Sequence, residues 1–190
     1  MSTFAESFIE YLRTLDKRDR GALAALRRSL GFAPGAYPPA YPVVERFAVK
    51  DGTREPSRQA LYLTAGLFAL NPRHQPRRSL ADALAHLVIE RKSDSIERRF
   101  IALPSADAEA LPTHLRHAVQ LLAAGELGFD FVLLLDDLAA WLDPWRPDPR
   151  DRTRQRWARD FYRRLGPAES AAGANETPAE AQTTDSTERE

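Results

Sequence analysis

Cysteine is absent from this 190-residue chain. That excludes a disulfide framework, a thiolate metal site and a cysteine nucleophile, and it fits a reducing cytoplasm. Long apolar runs are also missing. The longest, of which Phe131 to Leu135 is one, are far short of the roughly 20 residues that a membrane span needs. No basic segment followed by an apolar run opens the chain at Met1-Ser2-Thr3-Phe4, so no signal peptide is expected. There is no Gly-x-Gly-x-x-Gly, no Walker loop and no Gly-x-Ser-x-Gly. Hairpin turn chemistry and internal repeats are lacking too. Lysine is scarce, with only Lys17, Lys50 and Lys92. Nearly all positive charge is therefore arginine, which forks onto phosphate and carboxylate and stacks on planar groups.

The formal net charge of +0 hides a split. The segment 166–190 holds six acids and one base, so it carries −5 while residues 1–165 carry +5. The acidic tail is rich in Ala, Glu, Thr and Pro, a composition that predicts disorder. With 43% apolar residues the remainder can bury a real core. The expected organisation is a helical domain over 1–165 and a disordered acidic tail over 166–190.

Every strong periodicity is near 3.6 residues. Phe4, Phe8, Tyr11, Leu12 and Leu15 mark a first helix, and Asp19 to Leu30 a second, stopped by Gly31. Residues 31–42 read as a Gly/Pro/Tyr loop, 43–49 as a short helix and Asp51-Gly52 as a turn. Pro56 to Leu70 is helical, followed by a basic loop over 71–78. Ser79 caps Leu80 to Arg91, and Asp94 with Glu97 opens a helix through Leu103 that Pro104 ends. Thr113 caps His114 to Ala124. Phe129 to Leu142 is apolar almost all round and is expected at the centre of a bundle. A proline loop over 144–149 leads to a last helix, 152–165. The fold class is all-α: a compact helical bundle, as one unit or two packed helical subdomains.

That last helix carries the sharpest signal. At about 100° per residue, Arg152, Arg156, Arg159 and Arg163 share a wedge of roughly 60°, opposite Trp157, Phe161 and Leu165. The stripe suits a polyanion; a plain solvated face is the alternative. Arg27-Arg28, Arg54/Arg58, Arg73/Arg77/Arg78, Arg91/Lys92, Arg98/Arg99 and Arg116 add further positive charge. Arginines at helix rims suit phosphate-backbone binding without base reading. The pairs His114/His117 and His86/Glu90 have helical spacing for metal, but neither carries a zinc signature, so no metal and no cofactor is expected. Asp136-Asp137 lies inside an apolar helix, with Asp136 directed toward Val132 and Ala140. A salt bridge to an arginine is the expectation there, ahead of a catalytic acid.

Taken in order, several segments resemble one family. They are Gly66-Leu67-Phe68-Ala69-Leu70-Asn71-Pro72, then Glu97-Arg98-Arg99-Phe100 with Leu103 and Ala106-Asp107. Next come His114-Leu115-Arg116 with Val119, Leu121 and Leu122, then Trp141, and Trp157-Ala158-Arg159-Asp160-Phe161-Tyr162. Over residues 4–165 the chain resembles the CasB family, the small subunit of the type I-E CRISPR Cascade complex. The resemblance implies an all-helical, cytoplasmic protein without catalytic activity. It implies as partners other Cascade subunits with their guide RNA, a second copy of the chain and displaced single-stranded DNA, but no membrane. It carries the DNA-contact role onto Arg27, Arg58, Arg98, Arg99, Arg116, Arg152, Arg156 and Arg159. A purely structural adaptor, with arginines serving subunit salt bridges, is the alternative. The acidic tail departs from the family pattern.

Overall fold

Local signals place most helix ends. The computed structural model describes residues 3–49 and 53–166; the Asp51-Gly52 turn and the tail beyond Gly166 lie outside the described residues. Among the described residues there are nine α-helices, one 3₁₀ turn (Pro38–Ala40) and no β-strand, so the protein is all-α. The helices are α1 (Thr3–Arg18), α2 (Arg20–Ser29), α3 (Tyr41–Ala48), α4 (Glu55–Leu70) and α5 (Leu80–Arg91). They continue as α6 (Asp94–Ser105), α7 (Leu111–Ala124), α8 (Phe131–Trp141) and α9 (Pro147–Leu165). Asp19 accepts from the Ala22 amide to start α2, and Ser79 accepts from the Asp82 amide to start α5. Gly166, at φ +73°, ends α9.

Prolines account for the misplaced starts. Pro42, Pro112 and Pro147 all sit within the first turn of their helices, where a missing N–H costs nothing. Hence α3 begins at Tyr41 within the expected loop, α7 at Leu111 and α9 at Pro147. Thr113 is not the α7 cap; Asp107 accepts from the Ala110 amide just ahead of that helix. The residue before α6 is Ser93, not Asp94, and the helix runs through Pro104 to Ser105.

Helix α8 is central as expected, with seven of its eleven residues buried, and α4 shares that central position. Ten consecutive residues, Ala60 to Ala69, are buried because α1, α2, α3, α7 and α8 surround it. Its sequence concealed this through Tyr62, Thr64 and Gly66. Gly66 is required by close packing, since a Cβ there would stand 2.7 Å from the Leu30 side chain that follows α2. Helix α8 packs along α4, while α9 lies mainly on α5 and also on α8 and α6.

One non-helical junction matters for the site. Residues 73–78 run beside 128–131, with the Gln75 amide donating to Phe129 O at 2.9 Å and the Phe129 amide to Arg73 O at 3.2 Å. This pairing removes Phe129 and Asp130 from the helix expected to start at Phe129. Asp130, buried, caps α8 by accepting from the Val132 and Leu133 amides, and its other oxygen accepts from the Arg77 amide. Beside it, His74 Nδ1 accepts from the Phe131 amide at 3.2 Å. Burial pushes the His74 imidazole below its ordinary value, outweighing attraction from Asp130. A protonated His74 loses that acceptor and brings positive charge to the α8 N-terminus. The unfolded chain then binds a proton more readily than the folded one. Stability should be full above about pH 6.5 and fall as pH drops below it, until folded His74 itself protonates. Urea midpoints measured across this window should show the decline, and His74→Asn, which keeps an acceptor, should flatten it. An unchanged slope in the variant would show that His74 is not the responsible group.

Candidate nucleic-acid interface

Packing divides the eight arginines singled out in the sequence into two classes. Arg27, Arg58 and Arg156 are engaged within the chain. Arg27 donates from Nε and Nη2 to the Ala69 carbonyl at 3.1 and 3.0 Å, satisfying an orphan acceptor at the end of α4. Arg58 donates to Glu45 from Nε at 3.0 Å and lies over the Tyr62 ring, 5.2 Å from its centroid. Tyr62 also donates to Glu45, and the bonds from Arg58 and Tyr62 hold the Glu45 carboxyl below the usual carboxylate range. Arg156 pairs with Asp137, whose second oxygen accepts from Trp157 Nε1 at 2.6 Å. The expected salt bridge inside α8 therefore exists, but at the neighbouring residue. Asp137 is buried and Asp136 is exposed, because α9 covers the flank of α8 that carries Asp137.

The other five are exposed. Arg98, Arg99, Arg116 and Arg159 have no hydrogen bond or ion pair among the described residues, and Arg152 donates only to the Asp148 carbonyl at 3.3 Å. Arg98 and Arg99 project from α6 because Ile96, Phe100 and Leu103 turn the opposite face into the core. They line an open groove of about 390 Å³ shared with His114 and His117 of α7. Arg116 is exposed on α7 but does not line that groove. The continuous stripe on α9 is thinner in charge than its wheel suggests. Arg156 is neutralised by Asp137, and Arg163 by Asp160 at 2.9 Å.

Neither histidine pair assembles a ligand set. His114 and His117 share their groove with two guanidinium groups, which oppose a dication there. His86 contacts Arg164 at 3.0 Å, on α9. Among the described residues no three His, Cys, Asp or Glu side chains come together as a metal site. Among them, too, no helix is long and apolar enough to cross a membrane.

Sequence reasoning missed three features here. Arg54 binds the buried Asp143 at 2.7 Å across 89 residues, which no local pattern could show. Arg154 lies over the Trp141 ring and donates to the Ala106 carbonyl, so it joins α9 to the end of α6. Trp145, between Pro144 and Arg146, is 82% exposed while Trp141 and Trp157 are buried. What the arrangement supplies chemically is exposed guanidinium on helix rims, without a partner among the described residues, suited to phosphate and indifferent to base identity.

Known proteins point to one family. Residues 22–162 match the family model described as CRISPR-associated protein Cse2. A CRISPR-associated protein Cse2 of Thermus thermophilus is 44% identical over 160 residues, covering 83% of this chain and 89% of its own length. The crystal structure of CasB from Thermus thermophilus superposes with a TM-score of 0.73 at 43% identity, covering 85% of this chain and 99% of that one. A chain of a solved CRISPR RNA-guided surveillance complex matches with a TM-score of 0.72 at 27% identity, over 85% of this chain and 93% of its own. With the family match spanning most of the helical region and these relatives covered nearly end to end, the chain belongs to the CRISPR-associated Cse2 family.

Proposed function

We propose that the protein is a non-catalytic small subunit of an RNA-guided type I-E CRISPR Cascade complex, holding displaced single-stranded DNA in the cytoplasm. The observation that carries this reading is the set of exposed arginines without an ion pair among the described residues: Arg98, Arg99, Arg116, Arg159 and Arg152. The relative found within a CRISPR RNA-guided surveillance complex supports the placement among other subunits and guide RNA, and the same reading includes a second copy of the chain. Exchanging a DNA duplex for a guide–target hybrid is nearly balanced in free energy. Phosphate contacts that hold the displaced strand remove it from re-annealing and so tip the balance. Neither chemistry nor base reading is needed. Arg27, Arg58 and Arg156 serve this role indirectly, by fixing α2 to α4, α4 to α3 and α9 to α8.

Charge reversal tests it. Arg98→Glu, Arg99→Glu and Arg116→Glu together should weaken binding of unrelated single strands alike, by more than about tenfold near physiological salt. The slope of log affinity against log salt should flatten by about 0.7 for each phosphate no longer neutralised. Only variants with unchanged melting are informative, since arginine stems also pack. If folded variants bind strands and support opening of the target duplex as wild type does, the arginines serve subunit contacts and the adaptor reading replaces this one.

A further inference from the structure

A second cluster of arginines, outside the eight residues given a DNA-contact role above, converges where α9 packs on α5. Arg77 and Arg78, from the loop before α5, and Arg163 and Arg164, from the last turn of α9, line one open cavity of about 410 Å³. Two aspartates also line it: Asp160, which pairs with Arg163, and Asp82, which lies 3.3 Å from Arg78 Nε and 3.7 Å from Arg164 Nη1. Four cations and two anions leave two positive charges in a cavity of nucleotide size. Arg78 keeps its Nη2 without a hydrogen-bond partner although the side chain is only 13% exposed. That nitrogen is itself closed to solvent, so Arg78 acts on the cavity through its charge.

The loop is also held rigidly in an unfavourable shape. Arg77 has φ +67°, the left-handed region that glycine or asparagine occupies at least cost. Its amide is held at 2.7 Å by Asp130, and the Asp130 amide in turn donates to the Arg78 carbonyl at 2.7 Å. This backbone fixes the direction in which the exposed Arg77 side chain leaves the loop.

We infer that this cavity is a phosphate-binding site that takes a phosphodiester of a nucleic-acid strand, with Arg77 and Arg163 at its mouth and Arg78 and Arg164 along its wall. It rests on the strand-holding reading above and adds to it a site on α5 and α9, apart from the α6–α7 groove. Its guanidinium groups come from two elements far apart in sequence, so they are brought together only by the packing of α9 on α5. His86, against Arg164, is a built-in reporter of occupancy.

The test uses the full chain with a thymidine oligonucleotide, with and without a 5′-phosphate. Arg77→Gln with Arg163→Gln should lower its affinity about five- to tenfold and flatten the salt slope by about 0.7 to 1.4. The imidazole signals of His86 should shift on titration of wild type with the oligonucleotide and stay still in the double variant. Equal response with and without the 5′-phosphate assigns an internal phosphodiester. Response only with it assigns a terminal phosphate and overturns the inference, as does movement of His86 with polyglutamate but not with DNA. Charge reversal at Arg98 and Arg99 is run in parallel. If it abolishes binding while the double glutamine variant matches wild type, this site is wrong and the strand-holding reading stands. If wild type binds no strand, both fall.

Discussion

Phe161→Ala is expected to destabilise the protein by about 3–5 kcal/mol, the range for removing a large aromatic from a packed core. Phe161 is fully buried, and its ring lies flat on Phe100 of α6, with centroids 3.8 Å apart and an interplanar angle of 2°. The pair joins α9 to α6 at the level of the exposed arginines of both helices. Rigid helices cannot close the space left behind, so the cavity walls stay short of packing partners. Phe161→Leu, which keeps most of the volume, should cost well under half as much. Urea unfolding of the two variants measures both values. A loss below about 1 kcal/mol for the alanine variant would show that the site collapses and that the stack does not anchor α9. In the folded population, strand binding should weaken only as far as α9 shifts, because both rings are shielded from solvent.

Asp137→Ala is the second large effect, at about 3 kcal/mol. The carboxylate is buried between Arg156 and the Trp157 indole N–H. Its removal leaves the indole donor buried without an acceptor, at a cost of about 1–3 kcal/mol, and Arg156 without its counter-charge. Arg156 is 46% exposed, so water relieves part of that penalty and keeps the total below the cost of a fully buried broken pair. Asp137→Asn separates the two contributions. Its amide oxygen can still accept from Trp157, while the neutral side chain no longer balances Arg156. The asparagine variant should therefore retain about half of the stability lost by the alanine variant. Equal losses would assign the whole effect to the ion pair. Freeing Arg156 also adds a cation to the α9 stripe, so strand affinity of the folded asparagine variant should rise slightly. This is the reverse of what general unfolding would give.

Helices α9 and α4 differ in how legible they are from local sequence. The α9 wheel is readable because its two faces differ sharply in chemistry, aromatic against arginine. In α4, burial on every side arises from five neighbours, and Tyr62, Thr64 and Gly66 blur the apolar pattern that would announce it. Helix starts at Asp19 and Ser79 are readable because a capping side chain bonds an amide three residues away. Starts at Pro42, Pro112 and Pro147 are not, since proline breaks helices in their interior and is welcome in their first turn.

By itself the sequence determined the helical class, most helix positions, the arginine-rich character and, through ordered motifs, the likeness to CasB. These depend on periodicity, capping and composition, all of which act over a few residues. The tertiary structure alone decided which arginines are spent inside the fold and which stay free. A guanidinium group finds its carboxylate or carbonyl wherever packing delivers one, 42 residues away for Arg27 and 19 for Arg156. Arg98 and Arg99 are exposed, and among the described residues neither has a hydrogen bond or ion pair. Charge count is written in the chain, whereas neutralisation is a property of distances.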